Sequence, residues 1–121
     1  MRNLVFLLIL LLLSACATTK PPPNVFNSAE QAIKAAVQAG AEEHSPVELR
    51  FAREKLAQAH SDMDRKHYDK ALYRVDQSEI NSELAIEKTR TALIRGNVTE
   101  LARKNEILRE DIEATFGEDF K

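Results

Sequence analysis

The feature that most restricts this chain is a line of small side chains at helical spacing: Ala71, Val75, Ser78, Ser82, Ala85, Thr89 and Ala92. Residues three and four apart share one face of an α-helix. A face made of Ala, Ser and Thr has little bulk, so it predicts a helix that another helix approaches closely. The preceding segment supplies that neighbour. Leu49, Ala52, Leu56, Ala59 and Met63 follow one another at alternating steps of three and four, a narrow apolar seam. This second helix has a clear start: Ser45 as cap, Pro46 as first helical residue, and Glu48 to complete a capping box. It ends near Asp64 to His67, and the next helix begins at Tyr68 or Asp69. So short a turn predicts an antiparallel pair.

A first helix is expected after Asn27 or Ser28, with Ser28 and Gln31 as its capping box. Ala29, Ala32, Ile33, Ala36 and Val37 carry its apolar face, and Gly40 is its C-terminal stop. The chain has 121 residues, only 3 glycines and no tryptophan, and 30% of it is charged, a balance that disfavours sheets. The fold class expected is all-α: an antiparallel helical hairpin or three-helix bundle over residues 28–116, with a long C-terminal helix. A folded part of roughly 75 residues is marginal unless its helices pack well or it self-associates.

Beyond Ala92 the pattern changes. Ile94, Val98, Leu101, Asn105, Leu108 and Ile112 form a heptad seam, so residues 94–116 are a coiled-coil candidate and these six a helix-interaction surface. Asn105 takes a core position, where a lone asparagine fixes register in parallel dimers. Gly96-Asn97 interrupts the run. Either Gly96 ends one helix and Asn97 with Glu100 caps the next, or the helix continues, kinked or straight; the sequence favours continuation.

Residues 1–15 read as a signal peptide. Met1-Arg2 and Asn3 precede ten apolar residues, Leu4 to Leu13, then Ser14 and Ala15. The run is too short to span a bilayer, which needs about 20 apolar residues. Leu13-Ser14-Ala15-Cys16 resembles the bacterial lipobox. The resemblance implies cleavage before Cys16, a diacylglycerol on its thiol and acylation of the new amine. Ordinary cleavage after Ala17 is the alternative. In Gram-negative lipoproteins an Asp after the cysteine retains the protein at the inner membrane. Ala17 stands there, so the expected address is the outer membrane, lipid-anchored and facing the periplasm. Residues 16–27 form the tether, and Pro21-Pro22-Pro23 favours a polyproline II spacer.

The stretch from Ser28 to about Ala92 resembles a bacterial lipoprotein family, the domain of unknown function 4398. The residues that carry the likeness are Ala35-Ala36, Ala39-Gly40-Ala41, Ser45-Pro46-Val47-Glu48-Leu49, Ala52, Leu56, Ala59, and Tyr68 with Ala71. Family members have a Gly-Asp-Tyr-like turn before the last helix; here it reads Lys66-His67-Tyr68-Asp69, without the glycine. They often continue into an OmpA-like peptidoglycan-binding domain, and no such activity is carried over to these residues. The alternation of Ala59, Tyr68 and Ala71 also resembles half a tetratricopeptide repeat, but one hairpin makes no solenoid.

Candidate chemistry is sparse. His60 and His67 lie near Asp62 and Asp64, but no paired metal-ligand spacing is present and solvated helix ends explain them better, so no metal is expected. No glycine loop or nucleophile elbow occurs, so neither a cofactor nor an enzyme activity is expected. A net charge of −2, from 17 basic and 19 acidic residues, argues against nucleic acid. The single cysteine precludes an internal disulfide. The expected role is a structural or protein-interaction module of the cell envelope, its partner an envelope protein or a second copy. The alternative is a peptidoglycan-associated or peptidoglycan-linked lipoprotein. Lys121 motivates it, because the chain shares a lipid anchor, a helix and a final lysine with the murein lipoprotein.

Overall fold

A computed structural model describes residues 20–117, and among them it is helical throughout apart from short connections. The elements are α1 (Asn27–Gln38), α2 (Ala41–His44), α3 (Pro46–Asp64) and α4 (Tyr68–Phe116).

The first helix starts slightly earlier than its expected cap. Phe26 is the N-cap residue and no side chain caps the end, so the Ser28–Gln31 box does not form. A turn places the entry instead, with Asn27 N donating to Asn24 O at 3.1 Å and Glu30 N to Phe26 O at 3.0 Å. Phe26 packs on the cluster of Ala29, Ala59 and Val75 and stacks on the His60 ring at 3.9 Å. The ring, partly buried, packs at the start of the helix. Gly40 ends α1 as expected. Its φ is +92°, a left-handed conformation that disfavours a Cβ.

One element was not legible in the sequence. Ala41–His44 makes a single helical turn between Gly40 and Ser45, with Ala41 fully buried against Ala36, Leu49 and Ala85. Ser45, at φ −149°, then separates it from α3. A residue before proline is pushed away from the helical region, which is why the break falls there.

The turn from α3 to α4 closes with two bonds: Lys66 N to Met63 O at 2.9 Å and His67 N to Asp62 O at 2.8 Å. That pair is the Schellman arrangement, which asks for a left-handed residue between them. Lys66 supplies it at φ +63°, so the turn closes without a glycine. The turn is thus as tight as a glycine turn, with strain held on a lysine. Asp62 braces it, accepting from Arg74 Nε at 3.3 Å and lying 3.7 Å from His67 Nδ1.

The hairpin is antiparallel as expected. Ser45 meets Ala85 and Thr89, Ala52 meets Ser78, and Asp62 meets Arg74. The small stripe of α4 is its buried face: Ala71, Ser78, Ser82 and Ala85 are fully buried, and Val75 and Thr89 nearly so. Close approach lets a side chain reach the other helix's backbone, as Ser78 Oγ donates to Ala52 O at 2.8 Å. Ser82 Oγ turns back to Ser78 O on its own helix at 2.9 Å. Helix α1 lies across both partners. It runs from Ala59 and Val75 at the turn end to Leu49 and Ala85 at the open end, parallel to α4.

Candidate interaction surface

Ser45 does not cap α3. No side-chain capping bond exists there, and Ser45 Oγ instead donates to Ala85 O at 2.7 Å and sits 2.7 Å from Thr89 Oγ1. Glu48 likewise leaves the expected box and pairs with Lys88 across the hairpin. The hydrogen bond from Lys88 holds the Glu48 carboxyl below the usual carboxylate range. Buried tertiary partners outcompete local capping here because Ser45 is almost wholly covered, and an unpaired buried hydroxyl would cost free energy. These contacts mark the end of the bundle. Ser45 and Glu48, at the start of α3, face Ala85, Lys88 and Thr89 on α4.

Helix α4 does not stop there. It runs 49 residues without a break, through Gly96 and Asn97. A Cβ at Gly96 would meet no atom within 4 Å, so no packing forces a bend. From Leu93 to Gly117 every residue is exposed. The arm is held helical by pairs along its own surface: Arg103–Glu100 at 3.1 Å, Lys104–Glu100 at 3.4 Å and Arg109–Glu106 at 2.5 Å.

All six predicted seam residues fall on this arm, and the structure brings them onto one line. Ile94 is 55% exposed, Val98 and Leu101 59%, Leu108 57% and Ile112 45%, with exposed Asn105 in the middle. Five such side chains form an apolar strip of about 500 Å², at the upper end of what a monomer normally leaves in water.

The seam faces away from the bundle. The small-residue stripe ends at half-buried Ala92 and the seam begins at Ile94, a step of two where both patterns otherwise step by three and four. At about 100° per residue that slip turns the apolar line roughly 150° around the helix, to its far side. The outer track continues upward at the same spacing through Leu84, Ile80 and Tyr73, all exposed. Sequence reasoning passed over this upper part, although the two-residue slip was the signal that could have revealed it.

The other predicted sites resolve simply. Cys16, the signal peptide over residues 1–15 and the first part of the tether lie outside the described residues, as does Lys121. His60 stacks on Phe26 and His67 lies beside Asp62. Among the described residues no three metal-ligating side chains gather, and no helix is long and apolar enough to cross a membrane.

The family model for Domain of unknown function (DUF4398) matches residues 25–101, which takes in α1, α2, α3 and α4 as far as Leu101. Neither a curated protein nor a solved structure matches the chain. The matched span covers the whole bundle, its Schellman turn and the first half of the seam, and on that basis the protein belongs to the DUF4398 family.

Proposed function

We propose that the protein is a lipid-anchored module of the cell envelope. Cys16 is acylated, the outer membrane carries the anchor on its periplasmic side, and the α4 arm is held out to a protein partner. The observation behind this reading is polarity. The chain enters the bundle beside His60, at the turn end, where Phe26 stacks. The arm leaves from the other end, past Thr89, which lies beside Gly40. The entry at Phe26 and the seam beyond Thr89 therefore lie at opposite ends of the bundle. At 1.5 Å per residue, α4 carries its tip roughly 70 Å from the entry end. Three acyl chains make attachment close to permanent, each methylene adding about 0.8 kcal/mol.

Two measurements test the reading. Labelled palmitate is expected in the wild-type chain and absent from Cys16→Ser, which leaves the membrane fraction. A photo-reactive residue in place of Leu101 is expected to give protein adducts in living cells. Label retained by Cys16→Ser would end the anchor, and a Leu101 probe without adducts would end the interaction role.

A further inference from the structure

We infer that the partner on the arm's seam is a second copy of this chain, paired in parallel and in register across Asn105. The inference rests on the proposed interaction role and names its partner. Written as heptads, Val98, Asn105 and Ile112 are a positions, and Ile94, Leu101 and Leu108 are d positions. β-Branched residues at a with Leu at d favour two parallel strands; Val98, Ile112, Leu101 and Leu108 fit that code, and Ile94 at d and Asn105 at a depart from it.

Asn105 chooses among the alternatives. In a parallel, in-register pair each a residue faces its own copy, so two Asn105 amides meet and bond to each other. In an antiparallel pair a positions face d positions, and Asn105 is buried against Leu101 or Leu108. An unrelated apolar helix leaves it equally unsatisfied, which costs free energy. Only the symmetric arrangement gives every member of the seam a fitting partner.

Charge and space permit it. Across a parallel interface Lys104 faces Arg109 of the other copy, a like pair. Each already has an acid on its own helix, Glu100 at 3.4 Å and Glu106 at 2.5 Å. The seam points away from α1 and α3, so two bundles do not collide when two arms meet. On the bundle side Glu87 takes the d position of the same track, where it would face its own copy, so pairing stops short of Leu84. With five side chains 45% to 59% exposed on each copy, pairing removes roughly 1,000 Å² in total, the lower limit of a specific interface. Two chains rising from one membrane are already parallel, and that confinement raises their effective concentration.

Disulfide trapping of the full chain in its own cells tests the inference. Leu108→Cys places a thiol at d, opposite its own copy, and Arg103→Cys places one on the far face. The wild-type chain controls for adducts through Cys16. After mild oxidation Leu108→Cys is expected to run at twice the chain mass and Arg103→Cys at the chain mass. The purified full chain in detergent micelles is expected to sediment as a dimer, and the Leu101→Glu/Leu108→Glu double variant as a monomer with unchanged helix content. Equal trapping at both positions, or a monomeric wild-type chain, overturns the inference. If the Leu101 photo-probe gives adducts while Leu108→Cys gives no self-adduct, the second copy falls and the interaction role stands. If neither gives any, both fall.

Discussion

Helix α4 is one continuous rod with two lives. Its first half is buried along Ala71, Val75, Ser78, Ser82, Ala85 and Thr89, small residues pressed against α1 and α3. Its second half offers Val98, Leu101, Leu108 and Ile112, large residues that stand exposed among the described residues. The backbone is the same in both. What differs is the length of the partner: α3 has 19 residues and α4 has 49. Small side chains thus mark where a neighbour inside the chain comes close, and exposed branched ones mark where helix α4 runs beyond the end of the bundle. The family match reaches Leu101, so the seam straddles its edge while the bundle lies wholly inside it.

The largest expected effect contrasts core with arm. Ala85→Leu forces three extra carbons between α4 and the cluster of Ala36, Ala41 and Leu49. It should cost about 3 kcal/mol in denaturant unfolding. Leu101→Ala on the arm should change bundle stability by less than about 0.5 kcal/mol in the monomer. A comparable loss in both would erase the distinction between the halves.

The polar end of the bundle comes next. Ser45→Ala removes the bonds to Ala85 and Thr89 and should cost about 1.5 kcal/mol. Combined with Thr89→Val, the two losses should fall short of additivity, because the hydroxyls share one bond. Full additivity in a double-mutant cycle would mean that the serine acts as an ordinary cap.

Two glycine exchanges sharpen the contrast further. Lys66→Gly relieves the left-handed strain of the α3–α4 turn and should stabilise the whole bundle by about 1 kcal/mol. Gly96→Ala has open space and helical geometry, and should raise local helicity by about 0.7 kcal/mol. Because the arm lies outside the bundle, its melting midpoint should stay where it is while helix signal rises. A midpoint shifted by Gly96→Ala would show that the two halves melt together.

The smallest effect is the acid limb. The Lys88 hydrogen bond lowers the Glu48 carboxyl below its unfolded value. A lowered carboxylate contributes stability that is present above the ordinary carboxylate range and is lost as pH falls through the folded value. Lys88→Met should flatten that part of the stability–pH curve. An unchanged acid limb would show that the pair contributes nothing.

Much of the bundle was legible because periodicity is a local signal. The faces of α1, α3 and α4 read correctly from Ala36, Ala52 and Ala85, and the borders from Gly40 and Pro46. Both capping boxes read wrongly. A serine three residues before an acid or amide is a local pattern, whereas Ser45 is buried 40 residues from the carbonyl it bonds. The one-turn α2 was too short to show a period. The seam residues were found by spacing alone, but spacing could not say that they stand in water.

The sequence by itself determined that this chain is helical, which residues share each helix face, and where glycine and proline punctuate it. Those properties depend on neighbours three and four positions apart, and a helix carries them wherever it is placed. Only the tertiary structure decided that α4 outruns α3, that the seam turns its back on the bundle, and that the chain enters at the pole opposite the arm. These follow from which surfaces meet and where each partner ends, and that is set by packing across the hairpin rather than along the chain.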